Sequence, residues 1–117
     1  MTRSEPDCLF CRIVAGDVPA EVVHETDRTL AFRDVGPKAP THVLVVPRAH
    51  HADVAALADV DPALLADVMA AAVAVARAEG LDPGFRLVVN TGADGGQTVQ
   101  HVHVHVLGGR ALGWPPG

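Results

Sequence analysis

The sequence predicts an α+β fold: an antiparallel sheet of about five strands crossed by one long and one short helix. Three observations carry this. The stretch His101-Val-His103-Val-His105-Val-Leu107 alternates imidazole and aliphatic side chains with a period of two, the period of a strand. Residues 62–79 instead repeat apolar side chains at i, i+3 and i+4, the stripe of a helix. A length of 117 residues suits one compact domain, and neither a repeat nor a low-complexity segment divides it. We therefore read residues 1–117 as a single domain.

The elements follow in order. Residues 1–6 are polar and expected to be disordered. Asp7 can cap a short helix whose apolar contacts are Cys8, Leu9, Cys11, Ile13 and Val14, with Gly16 ending it. Glu21–Glu25 and Thr29–Asp34 read as two strands around a turn at Thr26-Asp27-Arg28. Gly36-Pro37-Lys38-Ala39-Pro40 is a rigid loop. Thr41–Val46 is a strong strand closed by Pro47, and residues 48–60 are a mixed segment carrying His50 and His51. Asp61-Pro62 pairs an N-cap with a first-turn proline, so the long helix starts there and stops at Gly80. Phe85–Thr91 is a strand, and its Leu87-Val88-Val89 run suggests burial on both faces. Gly92-Ala93-Asp94-Gly95-Gly96 turns the chain into the histidine strand, which Gly108-Gly109 ends. Residues 111–117 form a tail with the single Trp.

Composition narrows the function. A net charge of −5 argues against broad binding to nucleic acid, which needs a basic surface. Aromatics make up only 3% of the chain, so the core is aliphatic and thin, leaving room for a partner subunit. No apolar run approaches the ~20 residues of a membrane-spanning helix. No basic segment followed by an apolar one opens the chain, so no signal peptide is expected. Two cysteines three residues apart cannot staple a fold, and a cytoplasmic protein with reduced thiols is expected.

The histidine strand carries the chemistry. Its imidazoles share one face, about 6–7 Å apart along the strand, and the valines share the other. A central histidine can attack phosphorus while a neighbour contacts the phosphate oxygens or fixes a tautomer. The glycines just before it let backbone approach a ligand closely, and Thr98 adds a hydroxyl. Two other readings compete: exposed histidines on an edge strand, and a three-histidine metal centre. Cys8-x-x-Cys11 places two thiols on one turn, where they suit either a buried apolar pair, a redox pair, or zinc completed by two histidines, with His50 and His101 as candidates and His51 beside them.

The strand matches the His-φ-His-φ-His-φ-φ motif of the histidine triad family. The match extends to Cys8-Leu-Phe-Cys-Arg-Ile-Val, Ala31-Phe-Arg-Asp-Val35, Ala39-Pro-Thr-His-Val-Leu-Val-Val-Pro47, Val88-Val-Asn-Thr-Gly92, Gly95-Gly-Gln-Thr-Val99, Gly108-Gly-Arg and Trp114-Pro-Pro-Gly. It resembles the Hint-like branch of purine nucleoside phosphoramidases from about residue 7 to the end. This resemblance implies hydrolysis of P–N bonds in AMP-lysine or AMP-amine type substrates through a nucleotidyl-histidine intermediate. His103 is then the nucleophile, His105 its phosphate-side partner, His42 a supporting member of the relay, and Thr98 the group at the leaving amine. Asn90, Gly96, Gln97 and Thr98 hold the phosphate and 5′-oxygen. Asp34 takes the ribose hydroxyls, and Phe10, Ile13, Phe32, Val35 and Leu44 line the base pocket. The bland alternatives stand beside these: Asp34 starts a turn, Asn90 ends a strand, His42 is a surface residue, and the apolar set is plain core.

The resemblance also implies a homodimer, with Trp114 reaching the neighbouring site, and a structural zinc ion held by Cys8, Cys11, His50 and His101. No cofactor is then required for catalysis. Close relatives carry Ser where Thr98 stands, which implies retained activity with an altered rate or leaving-group preference. Arg33 falls beside the ribose position and puts base preference in question. Two alternative functions remain open at this point: a dinucleoside polyphosphate hydrolase, and a catalytically weak nucleotide- or zinc-binding scaffold.

Overall fold

The computed structural model describes residues 4–117. Eight elements follow one another: α1 (Leu9–Val14), β1 (Val22–Glu25), β2 (Thr29–Arg33), β3 (Thr41–Pro47), α2 (Val54–Val60), α3 (Pro62–Ala78), β4 (Phe85–Val88) and β5 (Val104–Gly108). The strands form one antiparallel sheet in the order β1-β2-β3-β5-β4. This is the expected α+β class with the expected number of strands.

The sheet's alternation sorts its side chains into two cores. Ala31, Val43, Val45, Val104 and Val106 face α3 and pack on Leu64, Val68, Ala72 and Val75. Their neighbours in sequence, Leu30, Phe32, Leu44 and Val46, face the opposite side and pack on Phe10 of α1. Each fully buried Val or Leu contributes roughly 1.5–3 kcal/mol by leaving water, so the α3 side anchors the sheet. The second face is smaller, and the histidines open onto it.

Asp61 performs as its sequence position predicts. Its Oδ1 accepts from Leu64 N at 3.0 Å, with Pro62 at the helix start. Several other expectations need correction. The described residues form three helices, not two. Residues 48–60 contain α2, capped by Asp53, whose Oδ1 accepts from Ala56 N at 2.8 Å. It is too short to show a stripe, and only Leu57 is buried. The first helix is capped by Cys8, not Asp7, its sulfur accepting from Cys11 N.

The strand expected over Phe85–Thr91 stops at Val88, whose partner is His105. Beyond that pair β5 offers only its first residue, Val104, and the ladder does not extend to it. β4 is the sheet's edge, so its residues are half-buried or exposed and not covered on both faces. The histidine strand is likewise shorter than expected. His101-Val102-His103 lies ahead of β5, tied down by Val102 N donating to His51 O at 2.8 Å. Residues 1–3 of the N-terminal segment expected to be disordered lie outside the described residues; Glu5 O accepts from Cys8 N at 3.1 Å. No helix among the described residues is long and apolar enough to cross a membrane.

Candidate active site

The three strand histidines are brought to the α1 side of the sheet, and each is held differently. Phe10 is the common wall: its ring centroid lies 5.9 Å from that of His101 and 5.1 Å from that of His103. The His103 and His105 centroids are 5.0 Å apart.

His103 Nδ1 lies 2.8 Å from the carbonyl oxygen of His101. A carbonyl only accepts, so Nδ1 carries the proton of the neutral ring and Nε2 keeps its lone pair. The ring is thereby fixed in the tautomer a nucleophile needs.

His105 is fixed from β3. Lys38 N donates to His42 Nδ1 at 3.0 Å, so the proton of neutral His42 sits on Nε2. That nitrogen lies 2.9 Å from His105 Nδ1, which must accept. The proton of His105 is therefore on Nε2. Among the described residues, this Nε2 is the one buried side-chain nitrogen or oxygen without a hydrogen-bond partner. A buried donor left unmade costs about 1–3 kcal/mol, which an oxygen acceptor reaching that position would recover. Burial, together with the nearby His103 and His42, lowers the His105 pKa to about 4. Burial lowers that of His42 as well, against the opposing pull of Asp34. Both rings are thus neutral at physiological pH.

Asp34, His42 and His105 also lie close enough to suggest a metal site. The hydrogen bonds speak against it. A metal on His42 Nε2 requires the ring proton on Nδ1, where the Lys38 amide already donates. The cluster is a chain of hydrogen-bonded groups that runs from the Lys38 amide through His42 to His105. Asp34 Oδ2 stands 3.5 Å from His42 Nε2, and its Oδ1 accepts from Gly36 N at 2.8 Å.

The apolar set divides. Phe10, Phe32 and Leu44 are buried in one cluster, with Ile13 packed against it. Val35 is fully exposed (102%) and outside that cluster. Leu30, Val46 and Val99 pack in the same cluster. Arg33 points the other way: its guanidinium forks onto Glu79 at 2.7 and 3.2 Å and reaches Glu21 at 2.9 Å.

The glycine loop is tightly self-bonded. A Cβ on Gly95 would lie 2.3 Å from Thr91 O, so only glycine fits there. Gly96 N donates to Ala93 O and Gln97 N to Gly92 O, both at 3.1 Å. The Gln97 side chain is buried and braces the loop: its Oε1 accepts from Gly92 N, and its Nε2 donates to Ala52 O at 2.7 Å and Val99 O at 3.0 Å. The Gly96 and Gln97 amides are thus used inside the turn, and Gln97 shapes the loop. Thr98 is exposed and borders a groove of about 450 Å³ with Glu5, Asp7, Cys8 and His50. Asn90 lies half-buried between β4 and this loop.

Behind the triad, Cys8, Cys11, His50 and His101 bring their ligand atoms within 4.8 Å of one another. His101 Nε2 donates to Pro47 O at 2.9 Å, which leaves Nδ1 as an acceptor. That atom lies 3.3 Å from the Cys8 sulfur and 3.5 Å from the Cys11 sulfur, while His50 Nδ1 is 3.4 Å from Cys11. Backbone amides support both sulfurs: Cys11 N donates to Cys8, and Glu5 N to Cys11. Burial lowers the His101 pKa to about 4 and raises the Cys11 thiol. The His51 ring is not in the cluster. Thiol–imidazole separations of 3.3–3.5 Å compare with tetrahedron edges of about 3.5 Å for zinc bound to sulfur and nitrogen. The donor set fits such an ion.

A five-stranded antiparallel sheet presenting these rings defines a histidine triad protein. The chain belongs to the HIT domain family, whose family model matches residues 15–112. It is 48% identical over 111 residues to an uncharacterised HIT-like protein of Synechococcus elongatus, covering 95% of this chain and 97% of that one. Its structure is similar to that of a HIT family hydrolase from Legionella pneumophila, with a TM-score of 0.91, 50% identity, and coverage of 95% and 100%. It is also similar to a histidine triad nucleotide-binding protein from Candida albicans, with a TM-score of 0.80, 30% identity, and coverage of 93% and 83%.

Proposed function

We propose that this protein is a nucleotide-binding hydrolase that cleaves the P–N bond of purine nucleoside phosphoramidates through a nucleotidyl-His103 intermediate. One observation carries the reading. The His103 Nδ1 bond to the His101 carbonyl leaves Nε2 as a free base beside the unanswered N–H of His105. A lone pair and an oxyanion donor on adjacent rings suit attack on a phosphoryl centre.

His103 Nε2 attacks the α-phosphorus while His105 Nε2–H bonds a phosphoryl oxygen. The P–N bond breaks, and its electron pair leaves on the amine, which gains a solvent proton at Thr98. Water then adds to phosphorus and loses a proton, the P–Nε2 bond breaks, and the nucleoside monophosphate departs. The base rests on Phe10, Phe32, Leu44 and Ile13, and Asp34 meets the ribose hydroxyls. The likeness to the Candida albicans nucleotide-binding protein supports the ligand class.

Cys8, Cys11, His50 and His101 would hold a zinc ion. With four protein ligands the site is closed, so the ion would supply structural support and leave water activation to other groups. We further propose a homodimer through the β4 edge, where Phe85 is 41% exposed and Trp114 of the tail 83% exposed. Mass in solution tests the dimer.

The decisive experiment compares wild type and His103→Ala on an adenosine phosphoramidate, with rapid quench. The expected result is a nucleotidyl-enzyme in wild type only, with nucleotide binding preserved in the variant. Normal turnover by the variant overturns the mechanism, and faster release from diadenosine polyphosphates overturns the substrate class.

A further inference from the structure

We infer that Arg110 is a positioning residue for the histidine relay: it holds Lys38, whose backbone N–H decides which nitrogen of His42 carries the proton. This deepens the proposed mechanism and rests on it for its kinetic arm only.

The chain of contacts is continuous. Arg110 Nη2 donates to Lys38 O at 3.0 Å, and its Nη1 donates to Ala111 O at 3.0 Å. Lys38 N donates to His42 Nδ1, and His42 Nε2 faces His105 Nδ1. The buried Nε2–H of His105 is the end of the line.

The polarity of that line depends on one amide. Were the Lys38 N–H withdrawn, His42 could carry its proton on Nδ1, and Nε2 would become an acceptor. His105 would answer by protonating Nδ1. Its Nε2 would then present a lone pair to the phosphoryl oxygen, where the reaction needs a donor. Asp34, 3.5 Å from His42 Nε2, favours the working arrangement but does not impose it.

Little else fixes Lys38. It sits in the loop between β2 and β3, exposed, with Pro37 before it. Its own Nζ bonds Gly36 O, a contact within the same loop. The tail supplies the external hold. Gly109 passes so close to Pro40 that a Cβ there would lie 2.8 Å from the proline ring, which seats Arg110 against the loop. A guanidinium suits the task because its fork reaches two carbonyls at once.

The test pairs Arg110→Ala and Arg110→Lys with ¹⁵N-histidine NMR on the substrate-free protein and with kinetics on an adenosine phosphoramidate. In wild type, His42 and His105 should each show a single Nε2–H tautomer. In Arg110→Ala their nitrogen shifts should move toward the average of two tautomers. kcat should fall roughly 10- to 100-fold with KM little changed. Arg110→Lys, which keeps a donor for Lys38 O, should recover most of both. Unchanged tautomers in Arg110→Ala overturn the inference. Should that variant fail to fold, Arg110→Gln, too short to reach Lys38, is read the same way. The NMR arm needs no substrate, so it decides the inference even if the phosphoramidase reading fails.

Discussion

His103 Nδ1 and the His101 carbonyl oxygen are 2.8 Å apart, and this contact joins the cysteine cluster to the triad. The ring of His101 belongs to the cysteine cluster, while its main chain orients the proposed nucleophile.

Four protein ligands leave no open position, so metal loss is expected to act on stability first. Cys11→Ser should abolish zinc binding, read by elemental analysis of the purified protein. It should lower Tm by roughly 10 °C or more. A short exposure of folded wild type to chelator should leave activity intact. Rapid loss of activity, restored by metal while the fold persists, would point to a catalytic ion instead.

Acid should destabilise the protein in a defined window. The His105 pKa is lowered to about 4 by burial and its histidine neighbours, against about 6.5 for an unfolded histidine. The unfolded chain thus binds more protons between those values, so stability rises with pH there. The contribution is complete above pH 6.5 and is lost as pH falls toward 4. Tm measured from pH 7.5 to 5 should fall in wild type and fall less in His105→Asn. Equal slopes would remove His105 as the cause.

Gln97→Leu should loosen the glycine loop. The change removes three hydrogen bonds and leaves the Gly92 N–H and the Ala52 and Val99 carbonyls unanswered. The expected cost is about 2 kcal/mol or more in a denaturation midpoint, with a lower kcat. A variant as stable and active as wild type would show that the loop holds its shape without the brace.

Thr98→Ser should keep turnover and shift preference among leaving amines. Threonine carries a methyl and a stiffer χ1, while both residues keep the hydroxyl. Rates across a series of amines give the readout. Identical profiles would remove this residue from leaving-group selection.

Periodicity made the sheet, the long helix and the histidine face legible in the sequence, because a stripe or an alternation is a local record of which side is buried. Asp61-Pro62 marked its helix start for the same local reason. The division of labour among the histidines was harder to see. It rests on partners far apart in the chain: His42 and His105 are 63 residues apart, Cys8 and His101 93. The resemblance to known proteins supplied those pairings as expectations, and geometry supplied their hydrogen bonds. The Lys38 amide, the Gln97 brace and the Arg110 hold left no trace, because backbone donors and acceptors are the same in every sequence. Val35 misled for the opposite reason: its side chain suits a pocket wall, yet the turn after β2 carries it into solvent.

The unanswered N–H of His105 sets fitness for work against resilience. A leucine there would not lift that cost, because the buried His42 Nε2–H would lose its partner in turn. A ligand that offers an oxygen to that N–H relieves the strain of its burial, so tolerance to heat should track occupancy of the site. Loading the pocket with a nucleoside monophosphate is then a way to harden the protein without altering a residue.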